Sequence, residues 1–376
     1  MRSVIGSVMA AVLGAGMMTP TIHAQDTYSG ARSAVFVMTN NAENNEVLAY
    51  QREGDGQYVL ARRVRTGGRG SGGTVDPLQS QGSLTLSGDR NLLFAVNSGS
   101  GTVSSFVVAG GVPVLVDREP TGGAFPVSVA EHNGTVYVLN AGGSGAIVAF
   151  HADAAGRLHE IPHATVYLTA ANDGASDIAV SPNGKTLVVI EKTPNHIDTY
   201  LIQSDGTLGT AVVHTSVTPG VFSVSFTPSG TLIVSENQPD GTDVSSISSY
   251  AVNAGGALTA ITQSIPTDGD GNCWNAITPD GKFVYVDNAA TSTVAGYAIG
   301  ASGALTPISG TIVAAEPDGA ANLDMSISRD GKYLYTLDAG VGEVAVYEIQ
   351  SNGTLIEAGT IAGLPEQAGW NGIAAY

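Results

Sequence analysis

Two glutamates stand out by position. Six short apolar segments of this chain end in a polar residue: Asn97, Asn140, Glu191, Glu236, Asn288 and Asp338. Asparagine can close such a strand end with its own side-chain hydrogen bond. Glu191 and Glu236 replace it in two successive copies. A carboxylate in a partly dry cleft titrates upward and serves as general acid or base, and two of them can divide those duties. The plainer reading makes both solvated turn residues, paired with Lys192 or a neighbouring asparagine. A second column reads Ser83, Val127, Asp177, Ser223, Trp274, Asp324 and Gly372. Asp177 and Asp324 are its carboxylates. Each follows an acidic loop, Asn172-Asp-Gly174 and Asp318-Gly319. They can bind substrate, or accept main-chain N–H bonds and pin neighbouring units. Trp274 and Trp370 are the only tryptophans. Both open an innermost strand, where an aromatic ring is a platform for a ligand or part of a core.

A carboxylated substrate needs a cation, and cations are scarce: 15 Lys and Arg in 376 residues. Arg69 and Lys192 are the best placed. Arg69 lies in the Gly-rich stretch 67–73, whose amides could form an anion nest or merely a flexible linker. Asn288 completes the candidate substrate-binding set. Metal signals are poor. His159 and His163 are four apart, but Pro162 breaks any helix that would align them. Asp268-Gly-Asp-Gly-Asn272 opens like a calcium loop, but its sixth position is Cys273 and its twelfth Pro279. No metal and no other cofactor is expected. No nucleophile elbow or triad is present.

The elements that must position these residues repeat. A short strand, a Ser/Thr-Pro-Asp/Asn-Gly-like turn and an apolar strand recur, clearest in Ile178 to Gly184, Ala276 to Gly281 and Ser326 to Gly331. The turn glycines are 134, 184, 230, 281 and 331, and Arg90 stands in the matching place of the earliest full copy. Glycine supplies the positive φ that such turns require. A third strand follows each pair, then a more variable fourth that starts near Gly-x-Leu, as at 156–158, 206–208 and 256–258. Four strands per about 50 residues is the signature of a β-propeller. Six full copies start near residue 80. Residues 34–77 make a seventh that lacks its first strand. Trp370 to Tyr376 matches the start of a repeat and then stops. The expected fold is therefore all-β: a seven-bladed propeller of four-stranded blades over 34–376. Its C-terminal strand completes the first blade and removes an exposed edge.

Composition agrees. Acidic residues number 33, the formal charge is −18, only 13% of residues are charged, and 49 are Gly. An acidic chain repels phosphate backbones, which excludes a nucleic-acid partner. One Cys excludes a disulfide scaffold. Residues 1–24 read as a secretory signal peptide. Arg2 is the charged start, Val4 to Met18 the apolar run, and Ile22-His-Ala24 a cleavage-site-like end. Residues 25–33 read as a linker. The run is short for a membrane span, so the expected mature protein is a secreted or periplasmic monomer with no membrane span.

Val180 to Val189, Ser-Pro-Asn-Gly-Lys included, and Ile277 to Val286, Thr-Pro-Asp-Gly-Lys included, resemble the seven-bladed lactonase-type propellers. That family includes bacterial 6-phosphogluconolactonase and the fungal 3-carboxy-cis,cis-muconate lactonizing enzyme. The resemblance covers about 34–376. It implies a site at one mouth of a central channel. Ile190 to Tyr200 looks like the segment that carries an active-site glutamate in the muconate branch. The family's cytosolic lactonases place a His-rich motif on an inner strand, where this chain has Ser176-Asp177, Val221-Phe222 and Cys273-Trp274. The resemblance thus implies a lactonase-like enzyme acting on a small lactone or a carboxylated, cyclisable acid. Glu191 and Glu236 would be its acid–base pair, and Arg69 with Lys192 its anion-binding groups. The alternative is a non-catalytic extracellular propeller for binding or surface interaction.

Overall fold

The computed structural model describes residues 33–170, 174–238, 242 and 244–376. The candidate signal peptide, Asn172 and Asp173 lie outside these residues. Among the described residues there is no helix, and hence none long and apolar enough to cross a membrane.

Seven antiparallel sheets form the seven blades. From the axis outward, blade 2 is Leu84–Leu86, Leu92–Asn97, Thr102–Ala109 and Val112–Pro120. Blade 4 is Ala175–Val180, Thr186–Glu191, His196–Leu201 and Val212–Thr215. Blades 5, 6 and 7 repeat that order from Val221–Phe226, Asn272–Ile277 and Asn322–Ile327. Blade 3 starts from Ala124–His132. Its outer position is shared by two short strands, Leu158–Glu160 and Val166–Tyr167, both paired with Ala146–Ala152. Pro162 falls between them and interrupts the ladder. Second strands such as Leu187 to Ile190 are fully buried, because each packs between the neighbouring blades. That explains their continuous apolar sequence.

The ring closes as expected. Ile373–Ala375 pairs with Ala34–Met38 at the centre of blade 1. Met38 N–H bonds to Gly372 O at 3.0 Å and Tyr376 N–H to Ala34 O at 2.7 Å, which brackets the short ladder. Ile373 is 4% exposed, and its strand also packs on the inner strands of blades 2 and 7.

The polar residues that end the second strands share one structural task. Each meets the connection arriving from the preceding blade. Thr66 Oγ1 donates to Asn97, Thr121 Oγ1 to Asn140, Thr169 Oγ1 to Glu191, and Ser216 Oγ to Glu236. Asn288 instead donates to Thr267 O. All five are fully buried. In blade 7 the arriving residue is Glu316 and the receiving residue Asp338, so two carboxyl groups meet. Burial, then the field of Glu316, pushes Asp338 up to about 10. The same causes, with Asp338 ahead of Glu316, raise buried Asp287 well above the carboxylate range.

Two outcomes follow from these contacts. Deleting residues 370–376 is expected to abolish the cooperative native transition seen by circular dichroism, because it reopens blade 1. Asp338→Asn installs the residue found at 97, 140 and 288. A raised folded pKa means the unfolded chain releases its proton first as pH rises, so stability falls from about pH 4 towards 10. The variant is expected to melt about 2–3 °C higher at pH 8 and like wild type at pH 4. A uniform shift at both pH values would contradict this.

Candidate functional site

The axial channel is where the seven inner strands converge. Its upper mouth, where those strands begin, is covered by a segment that has no counterpart in the repeat. Residues 66–83 join blade 1 to blade 2. In the first half, the amides of residues 68–72 are all spent within the fold, on Thr66, Ser100, Asn41 O, Asn40 Oδ1 and Asn40 O. No anion nest is left open there. The glycines serve close packing: a Cβ on Gly70 would sit 2.2 Å from the Asn40 backbone, and one on Gly68 would sit 2.4 Å from the Asn97 side chain.

The second half, Asp76 to Gln81, crosses the mouth and bonds to four blades. Leu78 N–H meets Asn371 of blade 1 at 3.4 Å, and Ser80 Oγ donates to Val127 O of blade 3. Gln81 N–H donates to Ser176 O of blade 4. Trp274 Nε1 of blade 6 donates to Ser80 O at 2.8 Å. Lys192 Nζ donates to Gln79 O at 2.9 Å and lies 4.8 Å from the centre of the Phe222 ring. Burial lowers the Lys192 pKa, and the nearby Asp76 carboxylate pulls it back up. Asp76 accepts from Gln79 N–H and Asn371, and burial pushes it up to about 6. The Gln81 amide spans the axis. Its Nε2 donates to Asn275 O at 2.9 Å, and its Oε1 accepts from Asn275 N–H at 3.0 Å.

Below this bridge the channel opens towards the face that carries the hairpin turns. A cavity of about 340 Å³ is lined by Gln81, Thr85, Arg90, Asp324, Ser326 and the Ile373–Ala375 strand, among others. A second, of about 410 Å³, adjoins it through shared Gln81, Arg90, Met325 and Ser326, and continues to Asn275. Together they form one chamber around the axis. Asp324 Oδ1 accepts from Met325 N–H at 2.9 Å and Oδ2 from Ile373 N–H at 3.3 Å. Its side chain is 3% exposed, and burial pushes it up to about 7. Arg90 donates to Ala375 O rather than to a carboxylate, and burial followed by the field of Arg329 lowers its pKa. Both residues hold a left-handed backbone, φ 55° for Asp324 and 63° for Arg90. That conformation disfavours a Cβ-bearing residue by roughly 1–2 kcal/mol, and such strain gathers at functional sites. A larger cavity, about 560 Å³, lies between blades 2 and 3. Its carboxylates are occupied: Glu131 binds two main-chain amides, and Asp153 binds two more and His159.

The expected site residues do not share one pocket. Asp324 lines the chamber. Asp177 lies in the equivalent position of blade 4, fully buried. It accepts from Ser128 Oγ, Ile178 N–H and Val224 N–H, so it ties blades 3, 4 and 5, and burial raises it well above the carboxylate range. Its blade 3 counterpart is Ser128 rather than Val127, because the hairpin there is tighter: His132 pairs with Thr135, where blade 4 pairs Val180 with Leu187. Glu191, Glu236 and Asn288 are buried at the junctions between blades, away from the chamber lining. Lys192 and Trp274 hold the cover of the upper mouth. Trp370 donates to Pro365 O and borders a rim cavity with Arg63 and Arg65. Arg69 is exposed at the junction of blades 1 and 2. Asp268 and Asp270 join no metal-binding group among the described residues. Arg90 was legible as an anomaly, the one turn position of the six where the repeat does not supply Gly. Asp76 and Gln81 had no such signal.

Comparison with known proteins agrees with this architecture. The family model described as lactonase, 7-bladed beta-propeller matches residues 143–244 and 214–364, more than half of the chain. No curated protein matches the sequence. A candidate 6-phosphogluconolactonase from Bacteroides uniformis superposes with a TM-score of 0.66 at 17% identity, covering 92% of this chain and 99% of that one. The periplasmic gluconolactonase of Pseudomonas aeruginosa gives 0.67 at 16%, covering 90% and 98%. Virginiamycin B lyase from Staphylococcus aureus gives 0.53 at 14%, covering 78% and 88%. At these identities the likeness is one of fold. The extent of the family match, together with the seven closed blades, places this chain in the lactonase, 7-bladed beta-propeller family.

Proposed function

We propose that the chain hydrolyses a small lactone in the lower axial chamber, with Asp324 as general base and Arg90 as oxyanion stabiliser. The observation that supports this is that both residues, each on strained backbone, line one cavity of small-molecule size. About 340 Å³ lies at the lower end of ligand pockets. A carboxyl titrating near 7 is matched to proton transfer at neutral pH. In the forward step the Asp324 carboxylate takes a proton from water, and the hydroxide attacks the lactone carbonyl. The Arg90 guanidinium stabilises the oxyanion that forms. Collapse of the intermediate breaks the ring C–O bond. The leaving alkoxide receives the proton from Asp324, which restores the carboxylate. Arg90 and nearby exposed Arg329 bring two cations to this mouth in an acidic protein, alongside Asp330. That favours a lactone bearing a carboxylate or several hydroxyl groups.

The test is a lactone panel, sugar lactones and carboxylated γ-lactones, read by proton release. Wild type is expected to turn over at least one, with kcat/KM rising through a midpoint near pH 7. Asp324→Asn, which keeps an acceptor oxygen, is expected to lose about 10²-fold or more. Arg90→Gly restores the repeat's own turn residue, so the fold persists while activity falls about 10²-fold. Turnover of nothing, or equal rates in wild type and Arg90→Gly, overturns the assignment. Saturable binding without turnover favours the non-catalytic binding propeller. A loss confined to Glu191→Gln transfers the acid–base role to blade 4. Export is proposed on the sequence of residues 1–24. Mature protein recovered from the periplasm or medium is expected to begin at Gln25, and retention of Met1 would contradict it.

A further inference from the structure

We propose that blade 4 carries a binding site for a first-row divalent cation, Zn²⁺ or Mn²⁺, formed by Glu191, His196 and Asp198. Antiparallel pairing sets Glu191 directly opposite His196. Asp198 lies two residues further along the same strand, so its side chain leaves the same face of the sheet. One ligand atom from each of the three falls within 4.8 Å of the other two. Metal–ligand bonds of about 2.0–2.2 Å leave ligand atoms roughly 3–4 Å apart, so modest side-chain rotation completes the set.

The other blades show what is unusual here. In blade 2 the two positions facing Asn97 hold Thr102 and Ser104, and both hydroxyls bond to it. In blade 5 the positions facing Glu236 hold Ser246 and Ser248, whose hydroxyls donate to its carboxylate at 2.7–3.0 Å. Blade 4 has the same buried glutamate. It puts an imidazole and a second carboxylate where the hydroxyl donors belong. That exchange removes two donors and adds negative charge to a site where Glu191 and Asp198 are both fully buried. Two carboxylates and an imidazole form a ligand set for a dication.

The surroundings fit a ligand set. Thr169 donates its N–H at 2.9 Å and its hydroxyl at 2.8 Å to the two oxygens of Glu191. This orients the carboxylate and leaves a second lone pair on each oxygen, which is the usual outer support of a metal ligand. His196 is half-buried, and its buried Nδ1 has no hydrogen-bond partner. One imidazole with two carboxylates suits Zn²⁺ or Mn²⁺. Ca²⁺ and Mg²⁺ prefer oxygen-only shells of higher coordination number. The site lies apart from the axial chamber, so its role is to fasten the second and third strands of blade 4 to the connection at Thr169. It does not depend on the catalytic proposal.

The test uses the full chain stripped of metal and titrated separately with Zn²⁺ and Mn²⁺, followed by calorimetry and thermal melting. One equivalent of either metal is expected to bind and to raise Tm by about 3 °C or more. The double substitution His196→Ser with Asp198→Ser reproduces the arrangement around Glu236. It is expected to fold with an unchanged circular dichroism spectrum and to lose both effects. If that variant does not fold, Asp198→Asn, nearly isosteric, is expected to weaken binding by about 10²-fold. Absence of binding and of a Tm shift with both metals in wild type overturns the proposal. So does wild-type affinity in the variant that folds.

Discussion

Blades 2 to 7 of this ring are each held to the one before by a buried polar contact at the end of the second strand. Thr66 on Asn97, Thr121 on Asn140, Thr169 on Glu191 and Ser216 on Glu236 are versions of one joint. Sheet ladders hold a blade together, and apolar packing presses blades against one another. Neither fixes the path of the chain between them. The joint does, because a buried acceptor left without its donor is destabilising by about 1–3 kcal/mol. The arriving connection must therefore pass at one height and place its next strand at the axis. Even the carboxyl–carboxyl version at Glu316 and Asp338 keeps the geometry, by retaining a proton.

That joint also gives the two conspicuous glutamates a structural task that requires no catalysis. Glu236 is satisfied by three serine hydroxyls. Glu191 has Thr169 and then a differently built environment. Identical residues at identical positions thus have different chemistry, set by what the third strand presents.

The ring was legible in the sequence because its signals are local. Turn glycines, apolar second strands and an orphan half-repeat at the C-terminus all follow from φ, alternation and count. The chamber was not, because the segment that decides which mouth is open breaks the repeat. Asp76 to Gln81 bonds to residues 47 to 295 positions away, and no periodicity announces that. The inner-strand column holds Asp324 but takes Val127 for Ser128, because the blade 3 hairpin turns between His132 and Thr135 and is shorter than the turn of the other blades. The turn column marks Arg90 as a misfit without assigning it a task. The Gly-rich stretch reads from sequence as an anion nest or a flexible linker; Asn40, Asn41, Thr66 and Ser100 take up the amides of residues 68–72.

The Gln81 amide, doubly bonded to the Asn275 backbone, works as a spoke across the wheel. Propeller blades are interchangeable units in principle, and rings can gain or lose one by duplication or deletion. A spoke of fixed length ties the cover of this mouth to one ring size. A ring with more blades has a wider axis, and the same bridge would have to reach further. The closure of this mouth is therefore matched to seven blades by a side chain that belongs to no blade's repeat.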